Sequence, residues 1–230
     1  MPFLKQKGNY RNLIVYQKAE CIYDITYFFA NKFLAKGDRT IDQMIQAARS
    51  GKQNIAEGAA ASTTSSETEI KLMNVARASL QELLIDYEDY LRVRSLQLWD
   101  INDERNKKTR RICSMHNDSN YYMQAVRIRS DETVANIAIT LIHQTDVFMR
   151  KLIDRLQDDF IKNGGIREQM TQARLQARGS QSSQTDPACP LCGKPMLKRM
   201  QKIGQMQGRE FWGCSEFPKC NGIRPINETQ

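Results

Sequence analysis

The sequence predicts a mainly α protein: an antiparallel four-helix bundle followed by a small zinc-ribbon-like β module. Three observations lead there. Four long segments carry apolar residues at spacings of three and four, the mark of an amphipathic helix. Short polar breaks separate the first three of them, which favours antiparallel neighbours. Near the end of the chain, Cys189, Cys192, Cys214 and Cys220 fall in a C-x2-C … C-x5-C arrangement. Two tight turns that each offer two thiolates suit a tetrahedral zinc ion. With 230 residues, the chain has room for one substantial domain and one small module.

The bundle is expected over residues 11–162. Its first segment, about 12–35, places Ile14, Cys21, Ile22, Ile25, Phe28, Phe29 and Phe33 on one stripe, and Gly37-Asp38 ends it. The second, about 40–60, carries Ile41, Met44, Ile45, Ala48 and Ile55. Ala59–Ser66 is a polar break in which Ser65 or Ser66 can cap the next helix. The third, about 66–98, has a heptad-like seam of Met73, Ala76, Leu80, Leu83, Tyr87, Tyr90 and Arg94. The fourth, about 131–162, shows Val134, Ile137, Ala138, Leu141, Thr145, Phe148, Leu152 and Leu156, and Asn163-Gly164-Gly165 stops it. Residues 99–129 read as a polar insert, a solvated loop carrying Arg105, Lys107, Lys108, Arg110 and Arg111. Residues 163–186 read as a linker, with a short helix over Arg167–Arg178 and a flexible Gly/Ser/Gln-rich stretch after it.

Asn54 and Glu57 lie three apart on one helix, as do Ser79 and Glu82, so each pair shares a face. An inward Glu needs hydrogen bonds, and these residues are expected to form a buried polar network that fixes register or a subunit contact. They are not expected to be catalytic, since no nucleophile or metal-ligand set accompanies them. Cys113 and His116 have a C-x-x-H spacing, but two ligands do not make a site. His143 lies beside the apolar stripe and reads as a surface histidine, and Cys21 as a packed thiol.

The module spans residues 187–226. Cys189-Pro190-Leu191-Cys192-Gly193 reads as the first ligand turn, with Gly193 free to take positive φ. Alternation predicts strands near Met196–Met200 and Arg209–Gly213, joined around Gly204 and Gly208. Disulfides, a redox C-x-x-C and an iron site are the competing readings of the cysteines. The chain opens on Met1-Pro2-Phe3-Leu4-Lys5 without an apolar signal run, and no strand–helix thioredoxin pattern surrounds Cys189. A module this small needs its metal to fold. Lys194, Lys198, Arg199, Lys202, Arg209, Lys219 and Arg224 surround the cysteines, with Phe211, Trp212 and Phe217 among them. Cations hold phosphates and flat apolar rings hold unpaired bases. Phe211 or Trp212 is expected to fill the small core.

Cys-Pro-x-Cys-Gly followed by Gly-x-x-Phe-Trp-Gly-Cys-Ser-x-Phe-Pro-x-Cys resembles the C-terminal four-cysteine zinc fingers of bacterial type I DNA topoisomerases. The resemblance implies a non-catalytic module that binds single-stranded DNA. It covers the finger alone, and the remaining chain is too short for a topoisomerase core.

A second resemblance covers nearly all of 11–162. Val15-Tyr16-Gln17-Lys18-Ala19, Gln43-x-x-x-Ala47-Ala48-Arg49-Ser50, Asn54-Ile55-Ala56-Glu57-Gly58 and Val75-Ala76-Arg77-Ala78-Ser79-Leu80-x-Glu82-Leu83 carry it. Together they look like a bacterial four-helix-bundle family. It includes proteins encoded in ribosomal-RNA intervening sequences and the accessory variability determinants of diversity-generating retroelements. The arrangement is similar to a subset in which the bundle carries a C-terminal suffix. The resemblance implies a homo-oligomer, a pentameric ring in several members, and a nucleic-acid or reverse-transcriptase partner. Gly51-Lys52-Gln53 and the 99–129 insert depart from the commoner pattern.

A net charge of +8 favours an anionic partner, and no apolar run is long enough to span a bilayer. No phosphate-cradling glycine loop, hydrolase triad or zinc-hydrolase motif is present. The expectation is a cytoplasmic, non-enzymatic nucleic-acid-binding protein with one structural Zn2+ per chain. Its fingers would bind single-stranded DNA or RNA, displayed on an oligomeric bundle. The other expectation is an interaction scaffold that docks a nucleic-acid enzyme such as a reverse transcriptase.

Overall fold

Short polar side chains start most of the helices. Ser65 Oγ accepts from the Thr68 amide (3.1 Å) and Ser130 Oγ from Thr133 (3.4 Å), opening α3 (Ser66–Val93) and α6 (Asp131–Asn163). Asp103 and Asp118 do the same for α4 (Glu104–Met115) and α5 (Ser119–Val126). Each such cap contributes about 1 kcal/mol. Upstream lie α1 (Ile14–Phe33) and α2 (Thr40–Ala61), and α7 (Ile166–Ser180) follows α6. A computed structural model describes the backbone of residues 9–180, 187–201 and 208–226, with side chains in α7 up to residue 176. It divides into two units, one up to Gln169 and one from Met170.

In the first unit, α1 and α3 each pack on both α2 and α6, closing a four-helix bundle. Neighbours run antiparallel. Ser50 in α2 meets Ser79 in α3 (3.0 Å), while Gly58, later in α2, faces Met73, earlier in α3. Likewise Arg77 bonds Asp146 (2.6 Å) and Tyr90 bonds Asp131 (2.9 Å) between α3 and α6. The expected stripes are the core. Cys21, Ile22, Ile25 and Phe29 are fully buried in α1, as are Ala76, Leu83 and Tyr87 in α3. Phe29 sits 4.9 Å from the Tyr87 ring and 4.7 Å from Tyr90. The Tyr87 hydroxyl donates to Thr26 Oγ1 (3.0 Å), which itself donates to the Ile22 carbonyl. Burial pushes this phenol above the ordinary tyrosine range. A Cβ at Gly51 would come within 2.7 Å of Leu80 Cδ2, so the glycine sets how closely α2 approaches α3.

Several expectations need correction. Ile14 is 45% exposed and lies off the core stripe. The third helix ends at Val93, before residue 98, because the chain turns through Ser95 at φ 54°. Arg94 is exposed and lies over the Tyr90 ring (3.9 Å to the centroid) and so is no part of the seam. The 99–129 insert is no solvated loop. It forms α4 and α5, and Trp99, Cys113, Tyr122 and Val126 anchor it by burial. Lys18, 1% exposed, donates to the Cys113 carbonyl at 2.6 Å. The expected polar network is rebuilt around Ser50. Its hydroxyl meets Ser79 Oγ, and Asn54 Nδ2 donates to it at 3.1 Å. Glu57 and Glu82 are exposed, because their positions turn away from the α2–α3 contact. Gly164, at φ 69°, ends α6 as expected. His143 is exposed and Cys21 buried. Among the described residues no helix is long and apolar enough to cross a membrane.

Two variants test this packing by urea denaturation followed through the helical signal. Tyr87→Phe deletes one buried hydrogen bond and is expected to lower stability by about 1 kcal/mol. Gly51→Val is expected to cost about 1–3 kcal/mol by forcing α2 and α3 apart. Unchanged midpoints in both would contradict the close α1–α3 and α2–α3 contacts.

Candidate metal centre and nucleic-acid interface

The metal centre is built from two turns beside a three-stranded antiparallel sheet. Its strands, β1 (Met196–Met200), β2 (Glu210–Cys214) and β3 (Ile223–Pro225), lie in the order β1-β2-β3. In the first turn the Gly193 amide bonds the Cys189 carbonyl (2.9 Å), and Gly193 takes φ 72°. In the second, the Glu216 amide points at Cys214 Sγ (3.4 Å), and the Cys220 amide bonds the Glu216 carbonyl (3.2 Å). The two turns bring all four sulfurs within 4.8 Å of one another. Cys189 and Cys220 are 3.8 Å apart, and Cys192 and Cys214 3.4 Å. Tetrahedral zinc with Zn–S near 2.3 Å places its sulfurs about 3.8 Å apart. A Cβ at Gly222 would lie 2.2 Å from Cys189 Sγ, so only glycine lets the backbone pass so close to the ligand.

The thiols themselves call for a cation. Burial opposes ionisation of Cys189, but the Leu191 and Cys192 amides and the neighbouring thiols outweigh it and bring the group down to about 7. The Glu216 amide pulls Cys214 down, yet burial and the hydrogen bonds with Cys192, Cys220 and Cys189 push it up to about 12. The Cys189 thiolate forms more easily, while Cys214 and Cys220 hold their protons more tightly. A dication removes that repulsion and takes all four as thiolates. Cys189, Cys192, Cys214 and Cys220 therefore form the site of one structural Zn2+, with no ligand position left for catalysis. Among the described residues no other group of three or more such ligands gathers. Cys113 and His116 gain no third ligand.

Register sorts the predicted interface residues onto two faces. Lys198, Trp212 and Arg224 pair across the sheet and share one face with Met196 and Cys214. Trp212 is half-buried there, packs on the small core of Cys189, Met196 and Cys214, and lies 5.6 Å beneath Lys198 Nζ. Arg199 and Phe211 pair on the opposite face beside Pro225. Arg199 lies flat across Gly213, where a Cβ would meet its Cδ at 2.9 Å. Its guanidinium donates to the Cys214 carbonyl (3.3 Å) and stands 5.3 Å from the ring centre of Phe217. Phe217 is 57% exposed and Phe211 half-exposed. This face thus carries an arginine held in place beside the Phe217 ring, with the accessible Phe211 as its cross-strand neighbour.

Of the remaining basic residues, Arg209, Lys219 and Arg224 are exposed. Lys194 is engaged by Glu216 (3.0 Å) and is not a free cation. Lys202 and Gly204 lie outside the described residues, whereas Gly208 takes φ 88°. Trp212, not Phe211, is the core-filling aromatic. The short strand β3 and the packing roles of Gly213 and Gly222 escape the sequence pattern. A glycine on either side of the second ligand turn is the one signal that points to the last two.

Gly222→Ala tests the centre. Its methyl group would displace Cys189 Sγ, and the purified variant is expected to carry clearly less than one zinc per chain by elemental analysis. Full occupancy would contradict the close approach.

Residues 186–229 match the family described as topoisomerase DNA binding C4 zinc finger. No curated protein and no solved structure matches the chain. The match and the four clustered thiols identify the C-terminal unit as a zinc-binding module similar to DNA-binding fingers.

Proposed function

We propose that this chain is a non-enzymatic, cytoplasmic single-strand-binding protein, in which zinc modules grip DNA or RNA and the helical bundle displays them in several copies. The observation that carries the reading is the face on which Arg199, paired in register with Phe211, is held by the Cys214 carbonyl beside the exposed Phe217 ring. A guanidinium pre-oriented beside exposed rings offers a phosphate partner and base platforms together. The match to a DNA-binding finger supports the same chemistry. The closed four-thiolate centre favours a structural metal over a catalytic one.

The bundle is read as the oligomerising part, by resemblance to the ring-forming bundle family, with a pentamer as the expected state. Val75 (40% exposed) and Val93 (63%) support contact between copies. Eighteen residues apart on α3, they complete five helical turns and share one outer face. Several weak modules on one ring gain avidity without new contacts. Native mass measurement reads the subunit number.

Binding is tested by fluorescence anisotropy with labelled single-stranded oligonucleotides. Phe211→Ala and Phe217→Ala should each weaken affinity by roughly 5- to 150-fold, the equivalent of about 1–3 kcal/mol per stacked base. The helical signal should stay unchanged. Trp212→Ala should also lower zinc retention, because the ring packs on the metal core. Parental affinity in both phenylalanine variants would defeat the stacking reading. Absence of salt-sensitive retention on oligonucleotides would favour the scaffold.

A further inference from the structure

The bundle unit carries a basic and aromatic strip that the finger does not explain. It runs along α4 to the start of α5. Two of the five cations in this region are already engaged. Arg105 pairs with Asp103 (2.7 Å) and Glu132 (3.6 Å), and Lys107 with Glu104 (2.7 Å). Lys108, Arg110 and Arg111 are exposed, and among the described residues no carboxylate pairs with them. The helix that carries them is held firmly. Gln144 Nε2 donates to the Arg110 carbonyl (2.7 Å), buried Lys18 to the Cys113 carbonyl, and Asn106 Nδ2 to the Trp99 carbonyl (3.0 Å). At its C-terminal end His116 stacks on Tyr121 with ring centres 3.7 Å apart and planes 7° from parallel. Tyr121 remains 37% exposed. Buried Tyr122 secures this stack by donating to the His116 carbonyl (2.9 Å).

We infer that α4 and the His116–Tyr121 stack form a second single-stranded nucleic-acid contact, with Lys108, Arg110 and Arg111 on phosphates and Tyr121 under a base. Unpaired cations on a rigid helix lose little conformational freedom when they meet a phosphate backbone. An exposed aromatic stack at the end of the same helix supplies the sequence-tolerant platform that single strands use. The strip rests on the reading of the chain as a single-strand binder. It adds that each subunit grips the strand at two places, one in the bundle and one in the zinc module.

The test measures affinity of the full chain for labelled oligo-dT and oligo-U across a salt series. Four variants are compared with the parent: Lys108→Gln/Arg110→Gln/Arg111→Gln, Tyr121→Ala, Phe211→Ala/Phe217→Ala, and the first and third combined. For single strands log K falls with log[salt] by roughly 0.7 per phosphate contact, so the triple variant should show a slope shallower by about 2. Lys108→Gln alone should remove about 0.7 and serves if the triple variant misfolds. Tyr121→Ala should weaken affinity with little change in slope. The finger variant should keep residual salt-sensitive binding that the combined variant loses. A triple variant with parental affinity and slope overturns the inference, even if the finger variant is weakened and the proposed function stands. Loss of self-association in the triple variant with an unchanged slope assigns α4 to contacts between copies and also overturns it. A parent chain without salt-sensitive binding overturns both readings.

Discussion

Mutual repulsion among four thiolates is the constraint on which the C-terminal unit depends. Sulfurs confined within 4.8 Å of one another cannot all ionise in the absence of a cation. With zinc they become the strongest cross-link the module has. The ion ties the turn before β1 to the turn after β2, and in doing so fixes the register that pairs Lys198 with Trp212 and Arg199 with Phe211. The small core of Cys189, Met196 and Cys214, with Trp212 and Cys220 against it, buries too little apolar surface to order three short strands alone. The chemistry of the site thus lies in the surface that the metal organises. Gly222 leaves room for the Cys189 ligand, and Gly213 leaves room for Arg199 to lie flat.

The bundle obeys a different constraint. Its helices close on a continuous apolar core, and most polar groups inside it find partners there, with Trp99 Nε1 and Asn117 Oδ1 left unpaired among the described residues. Thr26 serves Tyr87 and Ile22, and Ser50 serves Asn54 and Ser79. Lys18 is the exception in kind. A cation 1% exposed is costly to bury, and burial holds its ammonium below the ordinary lysine range. The Cys113 carbonyl accepts from it at 2.6 Å, and that bond pins α4 to α1. The same contact orients the exposed cations of α4, so an internal electrostatic cost supports an external charged surface.

Periodicity makes the four bundle helices legible, since Met73, Ala76, Leu80, Leu83, Tyr87 and Tyr90 recur on one face and are all buried. Cysteine spacing makes the metal site legible for the same reason: ligand geometry leaves its mark in the chain. The α4–α5 segment passes for a loop because its basic residues mask a few anchoring positions, Cys113, Tyr122 and Val126. Helical spacing places Asn54 with Glu57, and Ser79 with Glu82, on shared faces, but it does not say how far round the helix the partner reaches. The contact extends to Ser50 and stops short of both carboxylates. Strand β3 is three residues long and shows no alternation to recognise. Ion pairs such as Lys194–Glu216 depend on turn geometry that spacing does not encode.

Zinc, on these grounds, orders the interface, while the bundle stands without it. Hydrogen exchange of the full chain, with and without a strong chelator, separates the two units in one experiment. Amides of the β1–β2–β3 ladder, among them Arg199, Trp212 and Arg224, are expected to lose protection when zinc is removed. Those of α1, α2, α3 and α6 should keep theirs. A ladder that remains protected in the zinc-free chain would contradict the dependence of the interface on its metal.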